Sequence, residues 1–268
     1  MPSNFEVLNL ALDLKILQPQ ILHTEQISST NTYFLQNHSY PNGTVLLADY
    51  QTGGKGRHGR VWLSPPKQAL LFSVLLTELC DRSFLHVYTF LAAVAVFEGL
   101  DLLGGSTFKL DLKWPNDVLL GGRKLCGILV QNRLVGNETS QIVIGIGINV
   151  NQPANFFIGE LSQGTSLNIT LGRNMDRIEV LKRVLVGLDR WLFILGDSGE
   201  IAIFNRWRAL CSSIGKRVLV NDGRQIYTGI FKDLSSQGGL VLETDGHCRV
   251  FYAADVTLTK ETSDVGCN

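Results

Sequence analysis

Gln51-Thr52-Gly53-Gly54-Lys55-Gly56-Arg57-His58-Gly59-Arg60-Val61-Trp62 is the stretch on which the reading of this chain turns. From Gly53 to Arg60 it carries four glycines and three fixed cations, Lys55, Arg57 and Arg60, with no acid among them. Glycine permits positive φ and close backbone approach, so successive N–H groups can converge on an anion. Lysine and arginine add charge, and arginine grips phosphate or carboxylate oxygens in a fork. A plain solvated loop needs neither the alternation of glycine with cation nor a tryptophan closing it. The segment is not a Walker loop, because Gly56 follows Lys55 and Asp49 stands where the first glycine would be. Nor is there a dinucleotide fingerprint: Gly145-Ile146-Gly147 lacks a third glycine at Val150, and close strand packing explains it as well as ligand approach does. RGG-like segments bind single-stranded nucleic acid, so a nucleic-acid-binding module stays open as a reading of another class.

Around this loop the pattern is of strands and helices in mixed order. Residues 44–50 read as a strand entering the loop, and Ala69 to Thr77 as an apolar strand after it. Ahead of them lies a short amphipathic piece near residues 4–16, read as a helix that Pro19 ends. Ser28-Ser29-Thr30-Asn31 then offers N-cap chemistry for a helix toward Leu35. Ser83 to Leu103 reads as a core helix. Phe108, Leu110, Leu112 and Trp114 alternate with Lys109, Asp111 and Lys113, which predicts a half-buried strand stopped by the turn Pro115-Asn116-Asp117. Val118–Leu120 and Leu125–Gln131, divided by Gly121-Gly122, read as a hairpin, and Gln141–Val150 as a further strand. Asp176 opens a helix with apolar Ile178, Leu181, Val184, Leu185, Leu188, Leu192 and Leu195, and Glu179 sits at the reciprocal capping position. Another short helix is expected near 199–210. From Gly215 to Leu258 short β-rich runs are separated by turn sequences at 221–223, 235–239 and 244–246, which predicts a small all-β unit of barrel type beyond a boundary near residue 212.

Composition limits the function classes. The chain has 268 residues, 24 basic against 24 acidic, with 45% hydrophobic and 18% charged residues, and its mean hydropathy of +0.13 argues for a folded core. Zero net charge speaks against coating nucleic acid or anionic membrane by bulk attraction, without excluding a local cationic site. The most apolar run, Phe84 to Phe97, falls short of the roughly 20 residues of a membrane span and reads as a buried helix. Cysteines 80, 126, 211, 248 and 267 are odd in number, scattered and without CxxC spacing. With no secretory signal pattern, they point to a reducing cytoplasm and against a disulfide framework or a metal site.

Several motifs taken together resemble the biotin–protein ligases. Gly54 to Trp62 is similar to that family's GRGRxGRxW loop. In order come Ser29-Thr30-Asn31, Ala48-Asp49-Tyr50-Gln51, Lys113-Trp114-Pro115-Asn116-Asp117, Lys124-Leu125-Cys126-Gly127-Ile128-Leu129 and Gly145-Ile146-Gly147-Ile148-Asn149. The resemblance covers about residues 28–150, and the β-rich tail resembles the family's SH3-like C-terminal domain. Lys55 stands where the family usually has Arg, which keeps the charge and loses the fork. Cys126 stands where Ala is common.

The resemblance implies an α+β fold: a mixed sheet with helices of the class II aminoacyl-tRNA synthetase and biotin ligase type, then a small SH3-like β-barrel. The implied domains are a biotin- and ATP-binding catalytic domain over 1–212 and the SH3-like domain over 213–268. It further implies a biotin–[acetyl-CoA-carboxylase] ligase, which activates biotin with ATP as biotinyl-5′-AMP and passes it to a lysine of a biotin carboxyl carrier protein. Magnesium is expected with the ATP. Lys124 would bridge the biotin carboxylate and α-phosphate, Arg57 and Arg60 would hold phosphate and close the loop, and Lys113 would face the phosphates. Ser29, Thr30, Asn31 and Gln51 would meet the ureido ring, with Lys55, Gly56, Gly127 and Leu129 completing the biotin pocket. Trp62, Asn116 and Asn149 would lie near the nucleotide. Asp117 is the candidate base for the acceptor amine, with a magnesium role or turn-stabilising Asx chemistry as alternatives. A lipoate–protein ligase with the same adenylation logic is the near rival. Only 27 residues precede Ser28 and no recognition helix is readable there, so a form without the family's N-terminal DNA-binding domain is expected. No DNA or membrane partner is expected, and a homodimer is allowed.

Overall fold

Along β8 (Glu138–Asn149), Ile142, Ile144, Ile146 and Ile148 alternate with Val143, Gly145, Gly147 and Asn149. Successive strand residues point to opposite faces, so the isoleucines enter one core while the small residues line the other side of the sheet. The computed structural model describes residues 5–17, 19–37, 39–77, 85–104, 107–135 and 138–259. In it β8 pairs with β4 (Ala69–Leu76) on one side and with β7 (Arg123–Val135) on the other. Beyond them run β1 (Glu6–Leu8), β2 (Ile21–Ile27) and β3 (Val45–Gln51), and, on the far side, β6 (Asp117–Leu120) and β5 (Leu110–Lys113). The eight-stranded order is β1-β2-β3-β4-β8-β7-β6-β5. Only β2 and β3 run parallel; the other neighbouring pairs are antiparallel.

Helices cover both faces. On the isoleucine face lie α2 (Leu85–Gly104), α4 (Arg177–Ser198) and α5 (Glu200–Ala209), sharing one core with the sheet. Among the described residues α2 is the one helix long and apolar enough to cross a membrane, but most of it is buried in that core. On the opposite face α1 (Thr30–Gln36) buries Phe34 against Leu22, Leu46, Leu75 and Val143. This two-sided covering explains why all eight residues of β4 are buried and why, Ser73 apart, they read as a continuous apolar run.

Most of the sequence expectations hold, and the departures have identifiable causes. Ser29 caps α1 by accepting from Thr32 N, and Asp176 caps α4 by accepting from Ile178 N. Glu179 does not return to the cap but pairs with Arg183 one turn on, at 3.0 Å. The helix expected near residues 4–16 is not formed: the segment holds strand β1 and an extended stretch. Its backbone donors are taken elsewhere, since Lys15, Ile16 and Leu17 donate to the Asp189 carboxylate on α4 at 2.7–2.8 Å. Residues 83 and 84, assigned to the start of the core helix, lie outside the described residues, as do Cys80 and Cys267. Of the other thiols Cys126 and Cys211 are buried and Cys248 is exposed. Burial pushes the Cys211 thiol up to about 12.

After α3 (Leu167–Leu171), α4 and α5 the chain enters a five-stranded antiparallel sheet. Its strands are β9 (Arg217–Asn221), β10 (Ile226–Leu234), β11 (Leu240–Thr244), β12 (His247–Phe251) and β13 (Asp255–Leu258). The order is β12-β11-β10-β9-β13, an SH3-like arrangement. It is seated on the rest by Ser212, which donates to Asp111 from N (2.8 Å) and Oγ (2.6 Å), and by Trp114 Nε1 donating to Gly238 O at 3.0 Å.

Candidate active site

A cavity of about 930 Å3 opens on the α1 face of the large sheet. Every residue to which the resemblance gives a catalytic or binding role lines it, from Ser29, Thr30 and Asn31 to Asn149.

Its floor is a connected polar network. Thr30 donates to Gln51 Oε1 from both N (2.8 Å) and Oγ1 (3.1 Å). Asn31 Nδ2 donates to Leu129 O and Gln131 Oε1, each at 3.0 Å. Ser73 Oγ lies 2.6 Å from both Thr30 Oγ1 and Asn31 Oδ1. Thr30, Asn31 and Ser73 are almost wholly buried, where unmet polar groups are costly, so the network fixes their rotamers. Asn31 thus spends both ends of its amide on the protein. Ser73 and Gln131 were missed in the sequence; a lone serine inside the buried apolar strand β4 was the available signal.

Glycine sets the depth of that floor. A Cβ at Gly145 would stand 2.1 Å from Asn31 Oδ1, and one at Gly127 or Gly147 would stand 2.8 Å from the Trp62 ring. The indole therefore lies across β7 and β8 where only glycine leaves room. Its Nε1 is buried and makes no hydrogen bond in this chain.

The roof is the 53–62 loop. Gly56 N donates to Arg60 O at 2.7 Å and Trp62 N to Gly54 O at 2.9 Å, which closes the loop on itself. Positive φ is used only at Gly59 and at His58, in a short 3-10 turn over Arg57–Gly59. Gly54 serves close approach instead: a Cβ there would be 2.7 Å from Trp62 O. Lys55 and Arg60 are exposed. Arg57 reaches in, with Nη1 3.3 Å from Asn116 Oδ1. Burial lowers the Arg57 pKa from its usual value, while the Asp117 and Asp255 carboxylates oppose that shift.

The charged end brings β5, β6 and β7 together. Lys124 Nζ sits 2.7 Å from Asp117 Oδ1 and 5.7 Å from the centre of the Trp62 ring. The contact is an ion pair at the distance of a charge-assisted hydrogen bond. The main chain of Lys124 is clamped: its N donates to Gln163 O at 2.7 Å and its O accepts from Thr165 N at 2.9 Å. Asn149 Nδ2 approaches the same carbonyl at 3.5 Å, and Asn149 Oδ1 accepts from buried Gln152. Asn116 Nδ2 donates to Ile128 O at 2.7 Å, which holds the Trp114–Asn116 turn on β7. Lys113 ends β5 opposite Asp117.

A second cavity, of about 910 Å3, lies against the same loop and is also lined by His86, Trp114, Gln237 and Tyr252. Lys55 to Arg57, Arg60 and Val61 line both.

This arrangement defines a class: a pocket with a neutral polar floor and a cationic roof, suited to a ligand with a polar uncharged head and an anionic end. Comparison with known proteins gives the same class. Residues 23–149 match the biotin/lipoate A/B protein ligase family, and residues 213–258 match the biotin protein ligase C-terminal domain. The bifunctional ligase/repressor BirA of Bacillus spizizenii is 32% identical over 250 residues, covering 92% of this chain and 76% of that protein. The biotin–[acetyl-CoA-carboxylase] ligase of Paracoccus denitrificans is 30% identical over 215 residues, covering 79% and 88%. The biotin protein ligase from Aquifex aeolicus, solved in complex with biotin and ATP, superposes with a TM-score of 0.77 at 28% identity, covering 89% of this chain and 99% of that one. The chain belongs to the biotin protein ligases.

Proposed function

We propose that this protein activates biotin with ATP as biotinyl-5′-AMP and transfers the biotinyl group to a lysine of a biotin carboxyl carrier protein. The observation that carries this reading is Lys124, an ammonium in the cavity between Asp117 and Trp62, beneath the arginines of the loop. In the first step a carboxylate oxygen attacks the α-phosphorus and pyrophosphate leaves. Both reactants are anionic, so fixed cations offset their repulsion and stabilise the charge that develops. Lys124 takes that role here, with Arg57 and Arg60 on phosphate and Lys113 beside them. The carboxylate needs no base, being ionised already with a pKa of about 4. Biotin's neutral ureido ring suits the floor around Ser29, Thr30 and Gln51, and Trp62, Asn116 and Asn149, which line the same cavity, would lie near the nucleotide.

In the second step the acceptor amine attacks the acyl carbonyl and AMP leaves. A lysine with a pKa of about 10.4 must first lose its proton, and Asp117 is the carboxylate beside Lys124 able to take it. Magnesium bound to nucleotide phosphates needs only one or two protein carboxylates. Asp117, Glu160 and Asp255 are the carboxylates that line the cavity and would be available to such an ion. When bound, the ion would neutralise phosphate charge. We read residues 1–212 as the catalytic unit and 213–268 as the C-terminal unit; the separate family matches support that division.

The test is to incubate the protein with labelled biotin, ATP and a biotin carrier domain. One labelled lysine is expected, with biotin-dependent pyrophosphate release that lipoate does not displace. Release driven by lipoate in preference to biotin would replace this reading with the lipoate ligase.

A further inference from the structure

Two arginine side chains tie the 53–62 loop to its surroundings, and they lead to different parts of the fold. Arg57 is bonded to Asn116, on the turn between β5 and β6. Arg60 is paired with the carboxylate of Asp255, the first residue of β13 in the C-terminal sheet. With Val256 and Thr257, Asp255 lines the same cavity as Lys124 and Asp117. The C-terminal sheet is itself firmly seated. Besides the Trp114–Gly238 and Ser212–Asp111 bonds, Arg208 Nε donates to Asp233 at 2.6 Å, and a Cβ at Gly238 would stand 2.6 Å from the Phe90 ring. Asp255 is therefore a carboxylate on a fixed support, while the loop facing it is exposed from His58 to Val61.

We propose that Asp255 is a positioning residue for the ligase reaction: by pinning Arg60 it holds the glycine–cation loop over the cavity, so that the C-terminal sheet sets how long an acyl-adenylate is retained. This rests on the adenylation reading above. A guanidinium presents five N–H donors in a planar fork, so Arg60 can keep one edge on Asp255 and turn another to a phosphate. Lysine at position 60 would offer no such division. The two side chains are 65% and 46% exposed, so the pair is weak and screened by salt.

Hydrogen exchange on the full chain tests this. In Asp255→Asn, amides 56–62 of the ligand-free protein should exchange about two- to five-fold faster at low salt. The difference should vanish at about 1 M salt, where the screening length is about 3 Å. Asp255→Glu should behave as the parent. Glu243→Gln, which breaks the Lys232–Glu243 pair within the same sheet, should leave the loop unchanged. With biotin and ATP present, Asp255→Asn should release free biotinyl adenylate faster by a similar factor at an unchanged KM for biotin. Unchanged loop exchange in Asp255→Asn overturns the proposal, as does an equal rise across β9 to β11, which marks a merely structural role. Should the parent release no pyrophosphate, the adenylation reading fails while loop exchange still decides whether Asp255 holds Arg60.

Discussion

On the floor of the cavity Thr30, Asn31 and Ser73 are buried and bonded to one another, whereas on its roof Lys55, His58 and Arg60 stand in solvent. The floor is built from strands and a helix N-terminus and is fixed by its own hydrogen bonds. At its ends the roof is anchored by the Gly53 N bond to Ser28 O and by Trp62 packed on the sheet; between them it is held by one hydrogen bond to Asn116, one ion pair to Asp255 and its own turn. The difference matches two tasks. A neutral polar ring is bound best by groups already in place, because ordering them on binding would cost affinity. On the proposed chemistry, biotin and ATP must be admitted and the adenylate formed from them shielded from water, which needs a segment able to move.

Three substitutions probe this contrast, from the largest effect to the smallest. Lys124→Ala removes the ammonium between floor and roof; biotin-dependent pyrophosphate release should fall by about 10³ or more. Rates near those of the parent would remove Lys124 from the chemistry. Gly145→Ala attacks the floor alone. The added methyl meets Asn31 Oδ1, so overpacking should cost about 1–3 kcal/mol in denaturant unfolding and weaken biotin binding. A variant with parent stability and affinity would show that the floor is more yielding than its hydrogen bonds imply. Arg57→Gly attacks the roof alone, where stability should change within about 0.5 kcal/mol. Adenylate should then escape roughly ten-fold faster and label bystander lysines, as mass spectrometry of mixed proteins would register; unchanged selectivity would count against a lid.

The same contrast decides what the sequence discloses. The floor's strands were legible because period-two burial writes itself into the chain: isoleucine against glycine in β8, leucine against lysine and aspartate before Trp114. The loop was legible in composition but less so in conformation, since of its four glycines only Gly54 makes close approach, to Trp62 O, and only Gly59 adopts positive φ. Long-range partners left no local mark. The N-terminal segment reads as amphipathic, yet its donors go to Asp189, 172–174 residues away. Asp255, 195 residues beyond Arg60, looks like any acid at a strand end.

The loop's position between two cavities has a mechanical consequence. Lys55 to Arg57, Arg60 and Val61 face both spaces, so the loop acts as a partition rather than a cap. A shift of the loop toward the chamber above Lys124 would be a shift away from the one beside His86 and Tyr252.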